Sequence, residues 1–470
     1  LDPKSLLCLP AFSFASHCWR AMRVALIAST FALAAYARDQ PYFGEEALKR
    51  ARSPNTVMKL HMMPDEGLSG RGAVCLDGSD AGFYFAPASD PKNANDWQIY
   101  FQGGGWCYDE MDCWGRSYGS LGSSKAWKQT SSMEGIMSDD CGSNPDFCNF
   151  NRVHLAYCDG NSFSGDRDEP LVVTGLDGQP KKLHFRGKRI IDAVLSKLLT
   201  MGLDKADNVL LTGCSAGGLA TYLHTDYVHN FLKSAGVPMK KFKSAPLSGF
   251  FLLHPNVEGK LVYPMEMKSI FTLANSTGGV NANCIASMKE EDAWMCNFAQ
   301  YAYMYTEAPI FPLNSALDSW QTRCIYTSEL VPGFPKQKSK DNGECGAVTS
   351  YGRCLNNLEA CTEAEMTTMN DYITDFSQIM RGVGTYSKDG NGAFVHSCHT
   401  HCEAQSGSWN SFKVGNVTMQ QAFSKWWHST DEAAADHSYS SCLYHTDTSP
   451  HRCNPTCGDA SEAKQSVIVV

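Results

Sequence analysis

Five consecutive residues, Gly213-Cys214-Ser215-Ala216-Gly217, set a small hydroxyl between glycines directly after the apolar run that begins at Leu210. They fit G-x-S-x-G, the sharp strand-to-helix turn that projects a serine oxygen above the carboxyl edge of a parallel sheet. Positions beside the serine must lack bulk because chain segments approach closely there. A serine hydroxyl is a weak nucleophile at neutral pH and needs an adjacent base, itself oriented by a third group. A second chemical feature lies upstream, where Gly103-Gly104-Gly105-Trp106-Cys107 ends an aromatic-rich run. Enzymes built on the serine turn take one oxyanion amide from the residue after the serine and another from a glycine-rich loop after an earlier strand. The candidate oxyanion hole is therefore Ala216 N–H with Gly105 N–H and Trp106 N–H; a pocket wall is the alternative role for Trp106. The loop lacks the Lys-Ser/Thr ending of a phosphate-binding loop.

In this architecture the acid and then the base follow the serine along the chain. Many carboxylates and histidines follow Ser215, and spacing alone does not choose among them. Asp318 in "LNSALDSWQ" and His401 in "HSCHTHCEAQ" stand in segments poor in other charges, which suits groups packed beneath a site. The run "CHTHC", Cys398 to Cys402, has two readings. With "CNPTC", Cys453 to Cys457, it offers enough thiols and imidazoles for zinc, but neither spacing is the usual C-x₂-C pair. An exported chain favours disulfides, and bridges through Cys398 and Cys402 would fix the loop that carries His401.

These residues need strands and helices to hold them. "DWQIYFQGGGWC" (Asp96 to Cys107) reads as a strand that stops at three glycines, and "NRVHLAYCDG" (Asn151 to Gly160) as another ending in a turn. From Lys188 to Met201, Ile190, Ile191, Val194, Leu195, Leu198 and Leu199 follow helical spacing. A strand at Asn208 to Thr212 and a helix at Gly218 to Leu232 follow. Alternating strands and helices predict an α/β fold: a mostly parallel central sheet with helices on both faces. "AVCLDG" (Ala73 to Gly78) and "GFYFAPA" (Gly82 to Ala88) predict a hairpin, and Arg38 to about Ser69 an irregular lead-in. Cys284 to Cys361 reads as disulfide-rich insertions or a lid, with a core strand among them.

At the start, Met22-Arg23 and the apolar "VALIASTFALAAYA", Val24 to Ala37, have the parts of a secretory signal. The expected start is Met22 and the expected cleavage follows Ala37, with residues 1–37 outside the folded domain and residues 38–470 forming a single domain; a retained signal anchor is the alternative. No later run approaches the ~18 apolar residues of a membrane span. Cleavage would remove Cys8 and Cys18 and leave 18 of the 20 cysteines, a usage that suits an oxidising compartment. It would also remove Lys4, Arg20, Arg23 and Asp2, taking the net charge from −9 to −11. That acidity argues against nucleic acid as a partner. Sequons stand at Asn275 and Asn416.

Together, "GGGWC", "LGSSKAW" (Leu121 to Trp127), "FNRVHLAYCDGNSFSGD" (Phe150 to Asp166), "LHFRGKRI" (Leu183 to Ile190), "LTGCSAGGLATYLHTD" (Leu211 to Asp226), "LDSWQ" (Leu317 to Gln321) and "SCHTHC" (Ser397 to Cys402) resemble the pectin acetylesterase family. This carbohydrate esterase family also contains the Notum-type palmitoleoyl-protein carboxylesterases. The matches run in family order from about Cys75 to Cys457. The resemblance implies an α/β-hydrolase-like fold, a Ser-Asp-His triad, and no metal or cofactor. It places the nucleophile on Ser215, the acid on Asp318 and the base on His401, leaving His396 and His399 as neighbours without a catalytic role. The oxyanion amides carry over to Gly105, Trp106 and Ala216. The chain departs from the family in its longer cysteine-rich stretch after Cys324 and its wider tail between Cys442 and Cys453. The function implied is that of a secreted serine carboxylesterase, extracellular or in the cell wall, acting on acetylated polysaccharide as a monomer. A Notum-like lipid or protein deacylase is the alternative, and a catalytically silent carbohydrate-binding protein the reading from another class.

Overall fold

The structure, a computed structural model, describes residues 57–176, 178–328, 350–440, 442–447 and 453–457. The signal segment and the stretch 329–349 of the cysteine-rich region lie outside them.

Ten strands form one sheet: β1 (Met58–Met62), β2 (Gly82–Ala86), β3 (Asp96–Phe101), β4 (Thr130–Ser131), β5 (Asn151–Leu155), β6 (Asn208–Cys214), β7 (Lys241–Leu247), β8 (Leu313–Ser315), β9 (Gly392–His396) and β10 (Asp436–Tyr439). Their order is β10-β9-β8-β7-β6-β3-β5-β2-β1-β4. From β5 across to β10 every pairing is parallel, while β2, β1 and β4 continue antiparallel at one edge. The central strands are covered on both faces, which is why β3 and β6 are buried almost throughout. Strand alternation divides their side chains between two cores. Trp97, Ile99, Phe101, Val209 and Leu211 face one side; Tyr100, Leu210, Ala245 and Leu247 face the other.

Helices α1 (Gly187–Leu199), α2 (Ala216–Ser234) and α3 (Glu363–Gly382) add their apolar stripes to the first core. Helix α4 (Met419–His428) packs Met419, Phe423, Trp426 and Trp427 into the second. Both α3 and α4 open with capping boxes, Thr362 with Glu365 and Thr418 with Gln421. The predicted helices at Lys188 to Met201 and Gly218 to Leu232 are α1 and α2, with ends moved by one or two residues.

Two local expectations are corrected. The predicted irregular lead-in contains β1, which pairs with β2. The predicted hairpin from Ala73 to Ala88 does not form as such. Its first arm bridges only to Asp80, before the second arm begins, through Val74, and is tied instead to the segment just after β5 by the Cys75–Cys158 disulfide and the Leu76 N–H to Cys158 O hydrogen bond of 2.9 Å. In the cysteine-rich region, β8 is the core strand, and Cys284–Cys296 and Cys354–Cys361 staple the short helical turns around it.

Candidate active site

The carboxyl ends of β6, β7, β8 and β9 converge, and the groups singled out in the sequence lie just beyond them, where open parallel sheets place their ligands. Ser215 joins β6 to α2 with φ 61° and ψ −127°. A serine pays for that left-handed conformation with roughly 1–3 kcal/mol of strain, so the surroundings must impose it. They do. Its N–H is held by Leu247 O of β7 at 3.0 Å, and its carbonyl accepts the Leu219 N–H of α2 at 2.9 Å. A Cβ at Gly217 would sit 2.0 Å from Phe101 O, and one at Gly213 would sit 2.4 Å from Gly217 O. Glycine at these two positions is therefore a steric requirement of the turn.

Asp318 follows β8 and is fully buried. Its Oδ1 accepts the Trp320 and Gln321 amides, both at 3.0 Å, and its Oδ2 lies 2.8 Å from His401 Nδ1. The Nδ1–H of His401 thus donates to Asp318, which leaves Nε2 as the ring atom able to take up a proton. The two loops are further joined by Ala316 N–H to His396 O at 2.7 Å and Ser319 N–H to Thr400 O at 3.1 Å.

His401 is brought to the serine turn by a covalent tie. Cys214, immediately before Ser215, forms a disulfide with Cys402, immediately after His401, with their Cα atoms 5.8 Å apart across 188 positions of sequence. Cys402 adopts φ 62°, and its N–H donates to Ser248 Oγ at 3.0 Å beyond the end of β7. Cys398 pairs with Cys457 and Cys442 with Cys453, so the thiols of the "CHTHC" run are consumed in disulfides. Removing the bridge with Cys214→Ser/Cys402→Ser is expected to cost about 2–4 kcal/mol of stability. It should also lower kcat by about 10- to 100-fold at a temperature where the variant stays folded, because His401 loses its register to the serine turn. An unchanged kcat with a lowered Tm would show that the bridge stabilises the fold without positioning His401.

The other two histidines of this loop have different surroundings. His396 is buried against Glu403, with Cys398 N–H donating to its Nδ1 at 3.1 Å. Burial pushes the Glu403 carboxyl up, but the neighbouring His396, its hydrogen bonds and nearby His401 together hold the group below its ordinary value. Glu403 also accepts Thr400 Oγ1 at 3.3 Å, so one buried carboxylate ties down both ends of the turn bearing His401. His399 lies 3.0 Å from Thr322 Oγ1, and burial lowers its imidazole to about 4.

Gly104 (φ 137°) and Gly105 (φ 61°) carry the loop after β3 past the serine turn. A Cβ at Gly103 would lie 2.8 Å from Ser215 Cβ, so only glycine permits this approach. Trp106 is buried, with its indole N–H donating to Ser162 Oγ at 2.7 Å. Its ring packs on Phe251 at 4.9 Å, Trp320 at 5.5 Å and Tyr263 at 5.8 Å. Phe251 and Trp320 reach the His401 ring at 6.2 and 6.5 Å. The sequence raises Trp106 as a pocket wall, but not the rings of Phe251, Tyr263 and Trp320 that pack with it. Trp320 stands two residues after Asp318, but nothing in the local pattern of Phe251 or Tyr263 distinguishes a pocket ring from a core ring. Ala216 is buried as the first residue of α2, where helix N-terminal amides lack internal partners.

The family model described as Pectinacetylesterase matches residues 51–458. Pectin acetylesterase 11 of Arabidopsis thaliana is 32% identical over 396 residues, covering 83% of this chain and 91% of the relative. Pectin acetylesterase 5 of the same plant is 31% identical, with 86% of each chain covered. The mouse (Mus musculus) palmitoleoyl-protein carboxylesterase NOTUM is 25% identical, covering 87% of this chain and 73% of its own. Among solved structures, the Wnt deacylase Notum from Drosophila superposes with a TM-score of 0.67 at 22% identity, covering 86% of this chain and 99% of that one. That superposition bears on the fold and agrees with the expected α/β-hydrolase-like architecture. With a family model spanning most of its length and relatives that are named esterases, this chain belongs to the pectin acetylesterase family and is a carboxylic ester hydrolase.

Proposed function

We propose that the protein is a secreted serine esterase that removes acetyl groups from extracellular or cell-wall polysaccharide. Ser215 is the nucleophile, His401 the general base and Asp318 the group that orients it. The observation that carries this reading is the 2.8 Å hydrogen bond between Asp318 and His401, on a loop bridged by disulfide to the residue before Ser215. His401 Nε2 takes the serine proton as Oγ attacks the ester carbonyl. The Gly105, Trp106 and Ala216 amides stabilise the oxyanion, a contribution of about 3 kcal/mol per donor in comparable sites. The C–O bond to the alcohol breaks, and the histidine returns its proton to the leaving oxygen. Water, activated by the same histidine, then releases acetate and regenerates the serine.

Export is supported by the eight disulfides among the described residues. No helix among those residues is long and apolar enough to cross a membrane. The acetyl-polysaccharide assignment leans on the plant relatives, which match at 31–32% identity against 25–26% for the carboxylesterases that carry the palmitoleoyl name. The aromatic wall beside His401 favours a second reading, removal of a longer acyl chain, because those rings offer it apolar contact. The test is acetate release from acetylated pectin, xylan and chitin, alongside p-nitrophenyl acetate and octanoate. Acetate release from one polymer, with acetyl preferred over octanoyl, supports the first reading. Octanoate preference with no polymer deacetylation supports the second. A charge of −11 after loss of the signal would weaken binding to polygalacturonate, so neutral acetylated polymers should compete well with pectin.

A further inference from the structure

Two carbonyls of the glycine loop are held by side chains from outside it. Arg116 ends the short helix Glu110–Arg116. Its Nη2 donates to Gly104 O at 2.8 Å and Gly105 O at 3.4 Å, and its Nε donates to Leu121 O at 3.1 Å. The buried Tyr157 hydroxyl donates to Gly105 O at 2.9 Å and accepts the Ser162 N–H at 2.9 Å. The guanidinium stacks over the Tyr157 ring, 5.1 Å from its centre, so the two side chains act as one unit. The Cys107–Cys113 disulfide joins the end of the glycine loop to the Arg116 helix.

A trans peptide is planar, with its C=O and N–H pointing in opposite directions. Holding Gly104 O and Gly105 O on one side of the loop therefore directs Gly105 N–H and Trp106 N–H to the other. Those are the amides assigned above to the oxyanion. Glycine has almost no intrinsic preference among the rotations open to it, so consecutive glycines would not keep this orientation by themselves. We propose that Arg116 and Tyr157 are positioning residues that pre-orient the oxyanion amides by gripping the carbonyl edges of the same peptide planes. The proposal rests on the serine-esterase reading. Neither side chain contacts the reacting carbonyl; each acts by removing the reorganisation that would otherwise accompany charge development on the oxygen.

The experiment compares Tyr157→Phe, Arg116→Lys and Arg116→Ala with the wild type and with Ser215→Ala. It measures kcat and KM on p-nitrophenyl acetate, the pH–rate profile, and affinity for a trifluoromethyl ketone that forms a tetrahedral oxyanion on the serine. Tyr157→Phe and Arg116→Ala should each lower kcat about 10- to 100-fold, somewhat less than loss of a whole oxyanion donor. KM should change by less than about threefold, and ketone affinity should fall by the same factor as kcat/KM. The pH midpoint should stay in place, because the Asp318–His401 pair is untouched. Arg116→Lys keeps the charge without the planar fork and should fall between wild type and alanine. If Arg116→Ala does not fold, Tyr157→Phe decides alone. Wild-type kcat in Tyr157→Phe, or a lowered kcat with undiminished ketone affinity, overturns the positioning role. Hydrolysis retained by Ser215→Ala overturns the esterase reading beneath it; a dead Ser215→Ala beside unimpaired positioning variants overturns this proposal alone.

Discussion

Replacing Ser215 by alanine is expected to lower kcat on p-nitrophenyl acetate by about 10⁶-fold, leaving only what the oxyanion amides and binding supply. The loss is that large because, in the proposed mechanism, serine and histidine act as a unit, and removal of either partner forfeits nearly all of the covalent route. Folding should not suffer. Ser215 sits at φ 61°, a strain that alanine shares and glycine relieves, so Ser215→Gly should be equally inactive but more stable by up to about 1 kcal/mol. The checks are the steady-state rate, corrected for trace wild-type enzyme, and the thermal midpoint. Wild-type hydrolysis by either variant would remove Ser215 from the mechanism. A loss of rate that tracks a loss of folded protein would assign the residue to structure.

Asp318→Asn should lower kcat by about 10⁴-fold while barely changing the shape of the site. The reason lies in how the carboxylate is held. Oδ1 accepts two backbone amides, from Trp320 and Gln321, so the asparagine carbonyl must take that position. The asparagine NH₂ then occupies the place of Oδ2, 2.8 Å from His401 Nδ1. A donor facing Nδ1 forces the imidazole proton onto Nε2, the atom that must be bare to act as base. The substitution thus inverts the tautomer without removing a side chain. Less than tenfold loss in folded Asp318→Asn would mean that His401 does not depend on this carboxylate. Asp318→Ala should be similarly inactive and less stable, because two buried amides lose their acceptor.

The turn around Ser215 was legible in the sequence because its constraints are local. The clashes that demand glycine at 213 and 217 arise where one strand and one helix meet, within five residues and against the neighbouring strand. The glycine loop was legible for the same reason, and so were β3, β6, α1 and α2, whose apolar spacing records one burial pattern each. The weak edge was not: β1 is only five residues long and partly exposed, so the alternation in its MKLHM is too brief to mark a strand, and its pairing with β2 comes from the sheet rather than from its own residues. The choice among His396, His399 and His401 was equally hidden from spacing. All three fall within six residues, and only the family resemblance favoured one.

What tertiary structure alone decided is which distant groups meet. Residue types and local periodicity determined that a nucleophile turn, a glycine loop and a cysteine-rich histidine segment exist. They did not determine that Asp318 would face His401 across 83 positions, or that Cys214 would pair with Cys402 among so many cysteines. Those meetings depend on the parallel register of β6, β7, β8 and β9, which sums contacts from the whole sheet. The same holds for Arg116 and Tyr157. Each is an ordinary residue in its own segment, and each gains its hold on the glycine loop only because the turns after β3 and β5 lie side by side.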